Sequence, residues 1–170
     1  MHLTFSSVFA MIQYIEQDEV IFMKISAKGR YGLTAMAYLA KQYASAAPVT
    51  ILSISNKFDI SKIYLEQVFS ILKRSHLVVS IKGSQGGYRL AKKPSEISVY
   101  DILSSIELFL TEKTIPITEG KVPALDRAIE AQVYAPLEEN IRKSLESVTL
   151  DDILSAVAEE TSTDNLMYFI

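Results

Sequence analysis

The chain has 170 residues, 49% of them hydrophobic, and a formal net charge of −3. It contains no cysteine and only two histidines, His2 and His76, which excludes disulfides, thiolate-held zinc, iron–sulfur clusters, cysteine nucleophiles and, with donors so sparse, a transition-metal site. No apolar run approaches the ~18 residues needed to span a bilayer, so no membrane partner is expected. One compact cytoplasmic domain, or a small domain with an appended element, is the expectation.

The modest net charge hides a sorted one. From Lys24 to Lys93 the chain carries 12 Lys/Arg and 2 acids, Asp59 and Glu66; from Pro94 to the end it carries 5 Lys/Arg and 15 acids. A basic front half is the electrostatic footprint of a polyanion, most often nucleic acid. The acidic back half would be repelled by the same polyanion and is expected to face something else.

Residues 1–22 are apolar in patches but carry Glu16, Asp18 and Glu19 and lack a basic leading segment, so they read poorly as a signal peptide. Met23 opens the most regular part of the chain. Residues 1–22 are therefore either an extension upstream of the natural start or an extra helix on the domain.

Ser26 to Ala44 reads as a helix, with Leu33, Met36, Ala37 and Ala40 at helical spacing. A second helix is expected over Ile51 to Phe58, opened by Thr50. Asp59-Ile60-Ser61 makes a tight connection, and the Ser61 hydroxyl is expected to cap a third helix running to about His76. Leu65, Val68, Phe69 and Leu72 form its buried stripe, and Tyr64, Gln67, Ile71 and Arg74 a second face. Arg74 and His76 suit a helix C-terminus by charge or dipole. The period then changes. Leu77–Lys82 reads as a strand, Gly83–Gly87 as a turn able to supply positive φ, and Tyr88–Ala91 as the partner strand. Three helices and a β-hairpin, the second and third helices joined by a short turn, make a winged helix-turn-helix.

Past Pro94, Ser98 with Asp101 has capping-box spacing and opens a helix to about Leu110. Thr111 to Pro123 reads as a loop. A long helix, about Ala124 to Ser147, keeps one apolar stripe of Leu125, Ile129, Val133, Leu137, Ile141 and Leu145, continued by Val148, with Pro136 expected to kink or break it. Thr149 with Asp152 repeats the cap and opens a short last helix to about Glu160. The final ten residues look loosely ordered and end on the apolar Met167-Tyr168-Phe169-Ile170. The fold class is thus mostly α. The expected division is an extension (1–22), a winged helix-turn-helix (23–94), a helical dimerisation or effector region (95–160) and a tail (161–170).

A third helix offering Ser61, Lys62, Tyr64 and Gln67 at its exposed N-terminal part suits the major groove. Glutamine can bond bidentately to an adenine edge, and serine, tyrosine and lysine can position phosphates. The glycine-rich hairpin tip (Gly83, Gly86, Gly87), flanked by Lys82 and Arg89, can lie along the adjacent minor groove. Lys24, Lys28 and Arg30 can grip the backbone. Taken singly, these residues read equally well as solvated surface, a plain hairpin turn and an ordinary lysine pair (Lys92-Lys93). Their joint order within 70 residues is far more specific.

These residues carry a family resemblance. Lys24–Leu33 (KISAKGRYGL), Ile63–Gln67 (IYLEQ), Ile81-Lys82-Gly83 and Gly86-Gly87-Tyr88 resemble the bacterial winged-helix regulators of the IscR, NsrR and CymR type, over Met23 to about Glu160. The resemblance implies a homodimeric transcription regulator, usually a repressor. It also implies major-groove reading by Ser61, Tyr64 and Gln67, a minor-groove wing of Lys82, Gly83 and Gly87, and dimerisation through the helix matching Ala124–Ser147. Two departures matter. Lys82 stands where the family commonly has arginine, and lysine lacks the planar fork. The stretch that holds three cysteines in cluster-bearing members matches Thr111–Pro123 and has none, so no cofactor is expected. The cysteine-free pattern, Thr149–Ile153 (TLDDI) and the tail resemble the CymR branch, which controls cysteine and sulfur metabolism with cysteine synthase as partner. That likeness makes Tyr168, Phe169 and Ile170 a possible partner-docking peptide. A tail packed across the dimer is the plainer reading.

Three function classes remain: a dimeric sequence-specific regulator on an imperfect palindrome; a winged-helix protein-interaction adaptor that does not read DNA; and an enzyme. The one-signed charge of the front half speaks against an adaptor. No Ser/His/Asp arrangement, phosphate loop or metal ligand set supports an enzyme.

Overall fold

The computed structural model describes residues 25–83, 86–110 and 121–167. The extension 1–22, Lys24, the turn residues Ser84 and Gln85, most of the 111–123 loop and the tail residues Tyr168, Phe169 and Ile170 fall outside them.

Helix α1 spans Ala27–Lys41 and is capped by the Ser26 hydroxyl, which accepts the Gly29 N–H at 3.1 Å. The chain then turns through a short 3₁₀ segment, Tyr43–Ser45, where the sequence predicts continuing helix. Helix α2 is Ile51–Phe58, with the Thr50 hydroxyl accepting the Ser53 N–H at 3.0 Å. The helix-turn-helix turn follows: Asp59 takes a left-handed φ of 51°, a conformation that aspartate tolerates better than bulkier residues. Helix α3 is Lys62–Arg74.

The cap expected from Ser61 does not form. Ser61 holds the N-cap position, but its ψ of 127° falls short of the 163°, 150° and 161° at Ser26, Thr50 and Ser98, which do cap, and its hydroxyl makes no cap bond. The far end of α3 closes two residues before His76. The His76 N–H bonds the Lys73 carbonyl and the Leu77 N–H the Leu72 carbonyl, with His76 at φ 57° in the place usually taken by glycine.

Strands β1 (Val78–Ile81) and β2 (Gly87–Leu90) pair antiparallel in the register Val78↔Leu90, Val79↔Arg89, Ser80↔Tyr88 and Ile81↔Gly87. Val49 extends this hairpin by a bridge to Tyr88, with bonds of 2.9 and 2.8 Å. Gly87 is required there, because a Cβ would stand 2.6 Å from the Val49 carbonyl oxygen.

Helix α4 (Val99–Ile106) opens on the expected Ser98/Asp101 capping box and ends four residues early, the chain finishing as a 3₁₀ turn over Leu108–Leu110. The long helix expected next, with a kink or break at Pro136, is divided into α5 (Pro123–Ile129), a π turn (Glu130–Tyr134) and α6 (Ala135–Glu146). Pro136 supplies the reason. It offers no N–H to the carbonyl four residues back, and the wider π turn immediately before it absorbs the break. Helix α7 runs Leu150–Met167, well past the expected end at Glu160. The Thr161 hydroxyl donates to the Val157 carbonyl at 2.8 Å inside this stretch, a bond along the helix.

All four residues of the α3 stripe are buried, against Met36 and Leu39 of α1, Ile54 of α2, and Ile97, Ile102 and Leu150 of the acidic half. Burial of side chains this large contributes about 1.5–3 kcal/mol each. The chain returns to this core through bonds from the Val99 N–H to the Val148 carbonyl (2.8 Å) and from the Leu150 N–H to the Ile97 carbonyl (3.0 Å).

Candidate nucleic-acid interface

The core holds α3 by one face and leaves the other in solvent. Leu65, Val68, Phe69 and Leu72 point inward, and Ser61, Lys62, Tyr64 and Gln67 are exposed together along the N-terminal half of the helix. Tyr64 stacks obliquely on Tyr31 of α1, with ring centroids 6.2 Å apart, so α1 fixes the direction of the presented face. Lys62 approaches Glu66 at 3.6 Å with both side chains more than half exposed. A pair of that kind is worth little and yields readily to a phosphate.

Ile63 belongs to the IYLEQ motif but has no contact role in the sequence reading. It is 68% exposed between Lys62 and Tyr64. An isoleucine displayed on a recognition face can meet a thymine methyl. The signal was present: Ile63 falls off the 65–68–69–72 stripe, on the side of the helix that the core does not use.

The hairpin projects beside α3. Gly83 has φ 113° and open space around it, and the Gly86 N–H closes the turn on the Gly83 carbonyl at 2.9 Å. Lys82 is exposed at this end. Arg89 is not at the tip. It sits opposite Val79, and its Nη1 donates to the Ala46 carbonyl at 3.0 Å, at the rim of a cavity of about 350 Å³ lined also by Leu39, Tyr43, Val49 and Tyr88. The structure thus brings Lys82, Gly83, Gly86 and Gly87 together and sets Arg89 apart, committed in part to the domain's own backbone.

At the N-terminus of α1, Arg30 is exposed and its Nη1 donates to the Ile25 carbonyl at 2.9 Å, while Lys28 is half-buried. The first turn of α1 contains no acid.

The α5–α6 rod is different. No residue in α5, the π turn or α6 is buried. Leu125, Val133 and Leu137 are about half exposed, and Ile129, Ile141 and Leu145 partly so. Glu139 holds Arg142 and Lys143 on this rod; those two cations push its carboxyl below the usual range, and Glu139 and Glu146 raise the Arg142 guanidinium.

Residues 25–156 match the family model described as Rrf2, iron-dependent transcriptional regulator. The chain belongs to the Rrf2 family. It is 36% identical over 133 residues to the HTH-type transcriptional regulator CymR of Bacillus subtilis, covering 78% of this chain and 91% of that protein. It is 34% identical over 133 residues to the regulator IscR of Pectobacterium carotovorum, covering 78% of this chain and 80% of that one. The solved structure of CymR, described as the global cysteine regulator of B. subtilis, superposes with a TM-score of 0.65 at 35% identity, covering 79% of this chain and 98% of that one. The Rrf2 protein described here is thus a winged-helix transcription regulator and not an enzyme.

The family's iron does not fit this member. The sequence has no thiolate donor and two histidines, and among the described residues no three His, Asp or Glu side chains cluster as a ligand set. His76 occupies the left-handed turn after α3, where its role is to end a helix. No helix of the described residues is long and apolar enough to cross a membrane.

Proposed function

We propose that this Rrf2 member is a homodimeric repressor that reads an imperfect palindrome and serves cysteine or sulfur metabolism without an iron–sulfur cluster. The observation that carries the DNA reading is the exposed Ser61–Gln67 face of α3, held rigid by a buried stripe on its reverse side. Gln67 supplies a bidentate base contact, Ile63 an apolar one, and Ser61, Lys62 and Tyr64 position phosphates. Lys82 and the glycines of the hairpin follow the minor groove, and Lys28 and Arg30 take the backbone of the duplex. Arg89 adds to the wing with the N–H groups that Ala46 leaves free.

Dimerisation is supported by the α5–α6 stripe. Six apolar side chains in line, none buried within the chain, are the pattern of a helix whose cover is a second copy. Two copies set two α3 helices one helical turn, about 34 Å, or a multiple apart. The metabolic assignment is supported by the likeness to the global cysteine regulator. In this reading cysteine synthase is the partner, and deletion of Asn165–Ile170 abolishes its binding if the tail docks there; unchanged affinity sinks the tail assignment.

The deciding experiment is selection of bound fragments from sheared source-genome DNA by the purified protein at near-physiological salt, followed by sequencing. An enriched palindrome upstream of sulfur-metabolism genes supports the whole reading. An enriched palindrome elsewhere keeps the regulator and removes the metabolic assignment. No enrichment, with or without cysteine synthase, together with binding that barely responds to salt, leaves the winged helix an adaptor.

A further inference from the structure

Two helices of the acidic half close their N-terminal ends by one device. In α4 the Ser98 hydroxyl accepts the Asp101 N–H at 3.0 Å, and the Asp101 carboxylate accepts the Ser98 N–H at 2.9 Å. In α7 Thr149 and Asp152 repeat the exchange at 3.2 and 2.8 Å. Each hydroxyl serves the amide three residues on, and the acid there returns a bond to the cap amide.

Helix α1 has only the first half of this device. The Ser26 hydroxyl takes the Gly29 N–H, but position 29 has no side chain to answer. The Ser26 N–H is bonded all the same, at 2.9 Å, to Oε1 of Glu107, 81 residues further along the chain. Glu107 is 6% exposed and is the buried charged side chain among the described residues. Gly29 makes room for it. A Cβ at position 29 would run into that same carboxylate oxygen and into the Ile25 side chain. The carboxylate from the end of α4 therefore stands where the missing acid of α1 would lie, with its charge at the positive end of the helix.

We propose that Glu107 is a positioning residue for DNA binding: it ties the N-terminus of α1 to the end of α4 and so holds Lys28 and Arg30 at their phosphate-facing placement. A cap supplied from within α1 would satisfy the same amide. A cap supplied from α4 also fixes where the helix end lies relative to the acidic half, so any shift at the end of α4 becomes a shift of two DNA-facing cations. Arg30 is bound into the same unit through its bond to the Ile25 carbonyl, one residue before Ser26. The inference rests on the reading that Lys28 and Arg30 grip the DNA backbone.

The test uses the full chain, the duplex recovered by genomic selection, a random duplex of equal length, and four variants: Glu107→Ala, Lys28→Ala/Arg30→Ala, the triple combination, and Gly29→Glu/Glu107→Ala. The last rebuilds the acid inside α1, its Cβ taking the space Glu107 vacates and displacing the Ile25 methyl beside it, and cuts the tie to α4. Glu107→Ala is expected to weaken both duplexes by about tenfold, the scale of one lost charged hydrogen bond. In the Lys28→Ala/Arg30→Ala background the same change should cost less than about twofold, because coupled residues do not add. Gly29→Glu/Glu107→Ala should regain the thermal midpoint but not the DNA affinity, and it answers the question even if Glu107→Ala alone does not fold. Recovery of wild-type affinity in that variant would make Glu107 a cap and nothing more. Equal losses in both backgrounds overturn the proposal as well. If Lys28→Ala/Arg30→Ala itself binds like wild type, the backbone-grip reading falls first, and Glu107 has nothing to position.

Discussion

Helix α3 and the α5–α6 rod carry apolar stripes of comparable regularity, and the chain treats them in opposite ways. The α3 stripe is fully buried by α1, α2, α4 and Leu150; among the described residues no member of the rod's stripe is buried, and Leu125, Val133 and Leu137 stay about half exposed although α6 touches α4. Periodicity alone is the same signal in both. What separates them is the surroundings: α3 lies between short connections that fold neighbours back onto it, while the rod meets the body along one side, where α6 touches α4. One stripe makes the fold, and the other is left for an encounter.

The comparison breaks hardest at its buried end. Phe69→Ala should cost about 3–5 kcal/mol, read as a drop in the urea midpoint, because the ring is fully buried and packs on Tyr88 with centroids 4.5 Å apart. DNA binding should vanish only as the fold does. At the other stripe, Val133→Asp with Leu137→Asp should leave the secondary structure and the unfolding midpoint of the single chain in place while converting the dimer to monomer by light scattering. Affinity for a full palindrome should then fall about 100-fold or more, since the second half-site is no longer held at high effective concentration. A palindrome-binding monomer that keeps wild-type affinity would refute the use assigned to the rod.

Much of this was legible in the sequence, for definable reasons. The α3 stripe, the change of period at Leu77 and the Ser98 and Thr149 caps are local patterns, and local patterns survive folding when packing agrees with them. The missing Ser61 cap is not legible, because a serine at a cap position promises a hydroxyl but not the ψ angle that aims it. The interruption of the rod at Pro136 is legible from the proline itself, but its form is not: spacing shows the phase of a stripe and not that a π turn carries it past the break. The extension of α7 past Glu160 is not legible because Thr161 to Asn165 has weak intrinsic helix propensity. Ile63 carries no polar atom, so its use on an exposed face is not legible from its chemistry alone. Glu107 could not be found from the sequence at all: its partner lies 81 residues away, and an empty position at Gly29 does not announce what fills it.

On the recognition surface the expected effects are smaller and differ in kind. Gln67→Ala should cost roughly 1–3 kcal/mol at the cognate site and much less on random DNA, relaxing preference at one base pair in each half-site. Lys28→Ala should weaken cognate and random duplexes by the same factor and reduce the slope of log affinity against log salt by about 1. Equal losses on both duplexes for Gln67→Ala would move the reading face elsewhere on α3.

The smallest effect lies at the start of α7, where the two parts of the chain meet. Asp152 accepts bonds from both the hydroxyl and the N–H of Thr149, and these bonds hold its carboxyl below the ordinary value of 3.8. A folded-state value lower than the unfolded one means that the ionised form favours the native state. The contribution is complete above the unfolded value and is lost as pH falls through the folded one. Asparagine at 152 keeps an acceptor for the Thr149 N–H but has no charge to lose. The gap between wild type and Asp152→Asn in urea midpoint should therefore be constant from neutral pH down to about pH 5, close as pH drops below about 4, and shrink with added salt, because the group is fully exposed. A gap that persists unchanged through that window would mean that the carboxylate charge does not anchor α7, leaving Leu150 in the core as its tie to the body.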